Sequence, residues 1–292
     1  MHVYTTLHYN ISIYTCVYKC IYCPRALSFN FNVYKYLLVY TVRNFKQGYI
    51  VNFCNILIGG EKGGTGKSTI ATNLAVMLRI AGIDTHLIDC DRQKTSLKFA
   101  SRRATQKIFP SLVCTHLSGE QLQVPIVDLA EKYEAVIIDC GGQDSVELRS
   151  SMITPCIDLM IVPIQAGYFD LETLVNMNNL VRVSKMYNKG LQVKCLINRV
   201  PPHKLITVAQ EAKTFINDEM EYLSLLETIL HDRVSFSYSV AKGLSVVEYE
   251  KISKRDGKGA NEMMLLYKEI TGEDFPVMNV SDLDKSLEIE NA

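Results

Sequence analysis

The sequence predicts an α/β fold, a mostly parallel twisted sheet with helices on both faces. Three observations carry the prediction. Short apolar runs alternate with segments of helical period from residue 53 to 271, the pattern of repeated strand–helix units. A glycine-rich run, Glu61 to Thr69, stands between the first apolar run and the first helical segment. Two apolar runs end in acids, Asp89 and Asp139, at the edge where open α/β sheets place their ligands.

In chain order, the apolar run 53–58 predicts the first strand and the amphipathic segment 67–81 the first helix. Strand 86–89 and helix 95–104 follow, then strand 112–116, helix 119–132 and the strongly apolar strand 135–139. The next units are helix 145–154, strand 159–163, helix 171–187, strand 193–198 and helix 205–217. A further strand is expected near 225–230, with helices at 234–241 and 260–271. The runs are too short for membrane spans, and they are bounded by polar or glycine-containing turns.

The glycine-rich run reads Glu61-Lys62-Gly63-Gly64-Thr65-Gly66-Lys67-Ser68-Thr69. Its glycines let successive backbone N–H groups turn inward toward phosphate oxygens, and the helix starting near Lys67 adds its positive end. Lys67 is expected to reach the β- and γ-phosphates and Ser68 to ligate Mg²⁺. The general pattern G-x-x-x-x-G-K-[ST] would place its first glycine at position 61, which is Glu61, and a second lysine, Lys62, precedes Gly63. In this the chain resembles the deviant Walker A family of P-loop NTPases: ParA-type DNA-partition ATPases, MinD, and their nitrogenase-reductase and cobyrinate-synthase relatives. The resemblance implies a single P-loop NTPase domain using ATP and Mg²⁺, with residues 61–69 around the nucleotide. It also implies that Lys62 crosses a dimer interface to the partner's ATP.

The resemblance extends to Asp89-Cys90-Asp91-Arg92-Gln93, where the family carries DxDPQ and this chain has Arg92 in place of the proline. It implies that Asp91 positions the attacking water and that Asp89 stands near the Mg²⁺ shell. Phosphoryl transfer needs an oriented nucleophile more than a strong base. Ala135 to Asp139 is an apolar strand ending in an acid, the Walker B pattern, with Asp139 expected to hold Mg²⁺ through water. Cys140-Gly141-Gly142 resembles switch II. The Ile161 to Gln165 run, Asn198-Arg199, Arg233 and the Gly243 to Glu248 stretch resemble later segments of small partition ATPases. For Asn198 the resemblance implies contact with adenine. Together the similarity covers roughly residues 53–272.

Of 292 residues, 48% are hydrophobic and the formal net charge is zero. Residues 1–50 hold no Asp or Glu and nine of the sixteen tyrosines. We therefore read 1–50 as a leader of doubtful status and 51–292 as the ATPase domain, with an acidic tail from about 273. Val51 is a candidate initiator if its codon is GTG; a targeting peptide fits the leader poorly, with its many tyrosines and few serines. Cys16, Cys20 and Cys23 have the C-x₃-C-x₂-C spacing that resembles radical-SAM enzymes. Such a cluster needs a barrel after it, and here a phosphate loop follows, so the spacing reads as chance. The other six cysteines read as buried thiols.

Arg182 and Lys185 on one helix, and Lys251, Lys254 and Arg255 before the last, are candidate DNA contacts. Three function classes stay open. The first is a cytoplasmic, nucleoid-associated partition ATPase, an ATP-sandwich homodimer that binds DNA without sequence preference and is stimulated by a centromere-binding ParB-like protein. The second is a MinD-like or protein-cargo positioning ATPase; the tail after Gly272, with six acids and one lysine, is not the basic amphipathic helix that membrane cycling requires. The third is a metabolic enzyme or Fe–S reductase on the same loop, for which Cys140 and Cys156 are the nearest ligands.

Overall fold

β1 (Asn55–Ile58) is buried along its whole length, as befits a strand with neighbours on both sides and helices above and below. It pairs in parallel with β4 (Ala135–Asp139), Ile58 opposite Asp139, and with β5 (Leu159–Gln165), Ile58 opposite Ile161. Around these lie β2 (Thr85–Asp89), β3 (Val113–His116), β6 (Gln192–Val200) and β7 (Ser224–His231). The seven strands run in the order β3-β2-β4-β1-β5-β6-β7, every pairing parallel. The computed structural model describes residues 55–142, 145–165, 171–201 and 205–277, all within the unit Ile50–Ala292. The leader, the Cys16/Cys20/Cys23 spacing, residues 53 and 54 of the expected first strand and the tail from 278 lie outside the described residues.

The chain leaves β1 for β2, skipping the place that β4 later fills, and then returns to build the other half of the sheet. The order thus reverses about β1, which opens a crevice at the carboxyl ends of the central strands. Helices α1 (Lys67–Ile80) and α2 (Thr95–Thr105) make the outward crossovers. Helices α3 (Gln123–Lys132), α4 (Val146–Met152), α5 (Leu171–Ser184) and α6 (Leu205–Glu219) make the return ones. Right-handed crossovers put the two sets on opposite faces. After β7 the chain adds α7 (Val234–Ala241), α8 (Val246–Ile252) and α9 (Lys258–Thr271), which return to the layer of α1. Ile70, Leu74 and Met77 of α1, Phe99 of α2, Val246 of α8 and Met263 and Leu266 of α9 share one core with Ile56, Ile58, Leu87 and Ile137 of the sheet.

Three boundaries differ from the sequence expectation for physical reasons. The third helix starts at Gln123, four residues later than expected, because Pro125 is tolerated only in a first turn. β5 runs past Pro163. The Ile161 carbonyl points toward β1, where it accepts from Gly59 N–H, so the missing donor of Pro163 also faces that side, beyond the last paired residue of β1. α8 falls where no helix was expected. Ser245 and Glu248 start it with a capping box: the Ser245 hydroxyl accepts from Glu248 N–H and the Glu248 carboxylate accepts from Ser245 N–H. Among the described residues no helix is long and apolar enough to cross a membrane.

Candidate functional site

The loop between β1 and α1 opens onto a cavity of about 800 Å³ at the carboxyl ends of the strands. Gly63 to Thr69 line one wall; Cys90, Asp91, Arg92, Gln93 and Thr95 face them from the end of β2. Gly141, Gly142 and the start of α4 close the β4 side, and Arg199 the β6 side. Two glycines are required by the geometry. Gly66 adopts φ 91° as the N-cap of α1, and a Cβ there would strike the Asn198 amide. A Cβ on Gly142 would come within 2.9 Å of Gly63 N, so the segment after β4 touches the loop directly.

Lys67 is buried at the throat of the loop, and its Nζ donates to the Lys62 carbonyl at 2.6 Å. Burial holds its pKa below the ordinary lysine value, against the pull of Asp139, Asp91 and Cys140. Lys62 and Gly63 and Gly64 are exposed, and Thr65 is buried. Glu61 and Lys62 do not line the cavity. From the far side, Gln165 Nε2 and Arg199 Nη1 donate to the Gly64 carbonyl at 2.8 and 3.0 Å, and Asn198 Nδ2 to the Thr65 carbonyl at 2.6 Å. Asn198, expected at the adenine, is buried and its amide braces the loop, while Arg199 is the β6 residue that lines the cavity.

Asp139 is fully buried beneath the loop. Its Oδ2 accepts from Ser96 Oγ at 2.6 Å, and its Oδ1 has no hydrogen-bond partner. Burial pushes its pKa up to about 7, against the hydroxyls of Ser96 and Ser68. A buried carboxylate oxygen left unpartnered beside a serine hydroxyl fits a hydrated divalent cation, as does the unpartnered Oγ1 of Thr65 at the loop. The residues present thus fit Mg²⁺, with Ser68 and Asp139 as its protein contacts and phosphate and water supplying the rest. Among the described residues no group of three His, Cys, Asp or Glu could hold a metal alone.

Asp89, expected near the Mg²⁺ shell, is buried at the end of β2 opposite Asp139. Its Oδ1 accepts from Asp91 N–H at 2.9 Å and its Oδ2 from Leu97 N–H at 2.8 Å. Asp89 therefore fastens the turn that carries Asp91 and the first turn of α2. Asp91, half-exposed, lines the cavity as expected; its Oδ1 accepts from Gln93 N–H at 2.8 Å. Cys90 and Cys140 are buried side by side, and their hydrogen bond and burial raise the pKa of Cys90 far above an ordinary thiol. Cys156 and Cys195 are also buried, and neither is in a disulfide.

Glu147 went unnoticed in the sequence. It lies at the cavity edge in the first turn of α4, mostly buried, with Oε1 accepting from Gly119 N–H at 3.1 Å. Burial would raise its pKa, but its own N–H, that of Gly119, the Ser145 hydroxyl and the charge of Arg92 hold it below the usual carboxylate value. Ser96 also carries no motif. Gln165 and Arg199 lie in stretches that resemble the family, at or near the carboxyl ends of β5 and β6, but the resemblance gave neither side chain a role.

The five basic residues marked as DNA contacts are not brought together. Arg182 and Lys185 belong to the end of α5, whose buried Leu174, Met177 and Val181 lie outside the core shared by α1, α8 and α9. Lys251, Lys254 and Arg255 lie at the end of α8, on the opposite layer.

Against known proteins, residues 56–246 match the family model described as the CobQ/CobB/MinD/ParA nucleotide binding domain. The chain is 23% identical over 219 residues to the maintenance of carboxysome distribution protein A of Halothiobacillus neapolitanus, covering 74% of this chain and 95% of that one. It is 24% identical over 256 residues to the sporulation initiation inhibitor protein Soj of Bacillus subtilis, covering 74% and 97%. Among solved structures, the septum site-determining protein MinD of Pyrococcus horikoshii, in complex with Mg-ADP, superposes with a TM-score of 0.56 at 18% identity, covering 74% and 95%.

Proposed function

Because the chain belongs to the CobQ/CobB/MinD/ParA nucleotide-binding family, we propose that it is an ATP-driven switch of the partition type. In this reading it dimerises on ATP, binds DNA without sequence preference, and hydrolyses ATP slowly when a ParB-like partner stimulates it. The observation that carries the reading is the division of labour between the loop lysines. Lys67 is buried at the loop throat, while Lys62 is exposed and outside its own cavity. An exposed lysine outside its own cavity can reach a phosphate held by a second protomer, which favours an ATP-sandwich homodimer.

Each residue then has a task. The loop N–H groups and Lys67 bind the phosphates, and Ser68 and Asp139 hold Mg²⁺, which neutralises phosphate charge. Asp91 orients the attacking water from the opposite wall. Gly142, in contact with Gly63, carries the state of the loop to the segment after β4. The switch would be cytoplasmic and, with ATP bound, associated with the nucleoid.

The test is binding of the full chain to random-sequence duplex DNA with ATP, with ADP and without nucleotide, at two salt concentrations. Binding with ATP alone, weakening as salt rises, is the expected result. A second reading, positioning of a protein cargo, is favoured by the split of the basic residues between two layers and by the similarity to the carboxysome distribution protein. Absence of DNA binding in every nucleotide state, with ATP still bound, would select it.

A further inference from the structure

The cavity holds one cation that neither the loop nor the reading above employs. Its lining includes Lys67, Arg92 and Arg199 against Asp91 and Glu147. Lys67 is tied into the loop, and Arg199 donates to the Gly64 carbonyl and lies 3.5 Å from Asp232. Arg92 is exposed on a tight turn, closed by Gln93 N–H onto Asp91 Oδ1 at 2.8 Å and Lys94 N–H onto the Asp91 carbonyl at 3.0 Å. The turn presents Arg92 to the cavity, whose lining also includes Glu147 of α4.

The sheet order says which end of a nucleotide Arg92 meets. Asp139, with its unpartnered oxygen, ends β4, and Arg92 follows β2, which pairs with β4 on the side away from β1. Gln165, Asn198 and Arg199 stand on the β5–β6 side. The metal end of the phosphate chain therefore lies toward Arg92, and the nucleoside lies toward β5 and β6. We propose that Arg92 is a γ-phosphate ligand supplied by the same protomer. A guanidinium suits this task, because its fork pairs with two phosphate oxygens at once. Such a ligand would make the chain distinguish ATP from ADP before any second protomer arrives.

The inference rests on reading the cavity as an ATP site, and affinities of the full chain for a non-hydrolysable ATP analogue and for ADP, both with Mg²⁺, separate the two. Arg92→Ala should weaken the analogue about tenfold while ADP changes less than about twofold; the retained ADP affinity also reports an intact fold. Arg92→Lys should recover part of the loss, keeping the charge without the fork. Equal losses for both nucleotides in Arg92→Ala, or no loss for either, would overturn the assignment. A native chain that binds neither nucleotide would instead overturn the ATP-site reading itself.

Discussion

At the scale of single residues, burial decides what each ionisable group can do. Lys67 is the loop's buried cation, so Lys67→Ala should abolish nucleotide binding; near-normal ATP affinity in a calorimetric titration would refute the loop assignment. Asp91 faces the loop across the cavity, and Asp91→Ala should lower turnover roughly 10²-fold while ATP stays bound, trapping an ATP-bound dimer visible by light scattering. His86 makes a pH-dependent contribution outside the site. Its Nε2 lies 3.0 Å from Thr115 Oγ1, its Nδ1 is buried without a partner, and the Tyr133 ring packs at 4.5 Å. Burial, helped by the charge of Lys132, lowers its pKa to about 4. The folded state then binds fewer protons than the unfolded state between about pH 6.5 and 4. His86 thus withdraws stability as pH falls through that window, on the order of 1 kcal/mol after solvent screening. His86→Gln should flatten that part of the urea-midpoint profile, and an unchanged profile would place the protonation elsewhere. Lys67 and Asp139 were legible in the sequence because their chemistry is fixed by neighbours along the chain. The roles of Ser96, Asn198 and Glu147 were not, because each is set by a partner at least 28 residues away.

At the scale of elements, the fold is held by contacts that periodicity does not reveal. Arg103 of α2 is wholly buried; its Nη1 and Nη2 donate to Glu248 Oε2 and Oε1 of α8 at 2.9 and 2.7 Å. Its Nε donates to the Pro110 carbonyl at 2.8 Å and Nη1 also to that of Gly243 at 3.1 Å. The same Glu248 caps α8 through Ser245. Glu248→Ala leaves a buried guanidinium unpaired and should cost about 3–5 kcal/mol in urea denaturation. Arg103→Met combined with Glu248→Leu should recover part of that loss, because no buried charge then remains unpaired. A double variant no more stable than Glu248→Ala would show that packing of α8, not charge, dominates. The seven-residue α8 was too short to show a helical period, although the Ser245-x-x-Glu248 pattern stood in the sequence as a start signal. Asn73 of α1 adds a second tie, its Oδ1 accepting from Val246 N–H at 2.7 Å. The central strands were legible to within about two residues because their short apolar runs are buried on both faces and bounded by turns. Their ends were not, because they depend on where a neighbouring strand stops, as β1 does beside Pro163.

At the scale of the whole molecule, the question is which layer a DNA duplex would meet. Net charge is no guide, since the chain is formally neutral. The distribution is. On the α7–α9 layer, Lys242 and Arg255 stand over the Tyr249 ring at 5.7 and 5.5 Å, with Tyr238 stacked on the same residue and Lys254 exposed beside them. The nearby acid Asp256 pairs with Lys258 at 3.1 Å, which leaves this cluster of cations uncompensated by that acid. On the α5 side, the charges of Glu221 and Arg182 both act on Tyr222, so an acid shares that face with the cation. Duplex binding scales with the phosphates that uncompensated cations neutralise, each steepening the salt dependence by about 0.9 log units per log unit of salt. Lys254→Glu with Arg255→Glu should therefore weaken ATP-dependent DNA binding at least tenfold and flatten its salt slope by about two per protomer. Arg182→Glu with Lys185→Glu should change it less than about threefold. The reverse ranking would place the duplex on the α5 layer. Equal, small effects from both pairs would remove DNA from the cycle and leave the chain moving a protein cargo, for which the same nucleotide switch serves without a phosphate-binding surface.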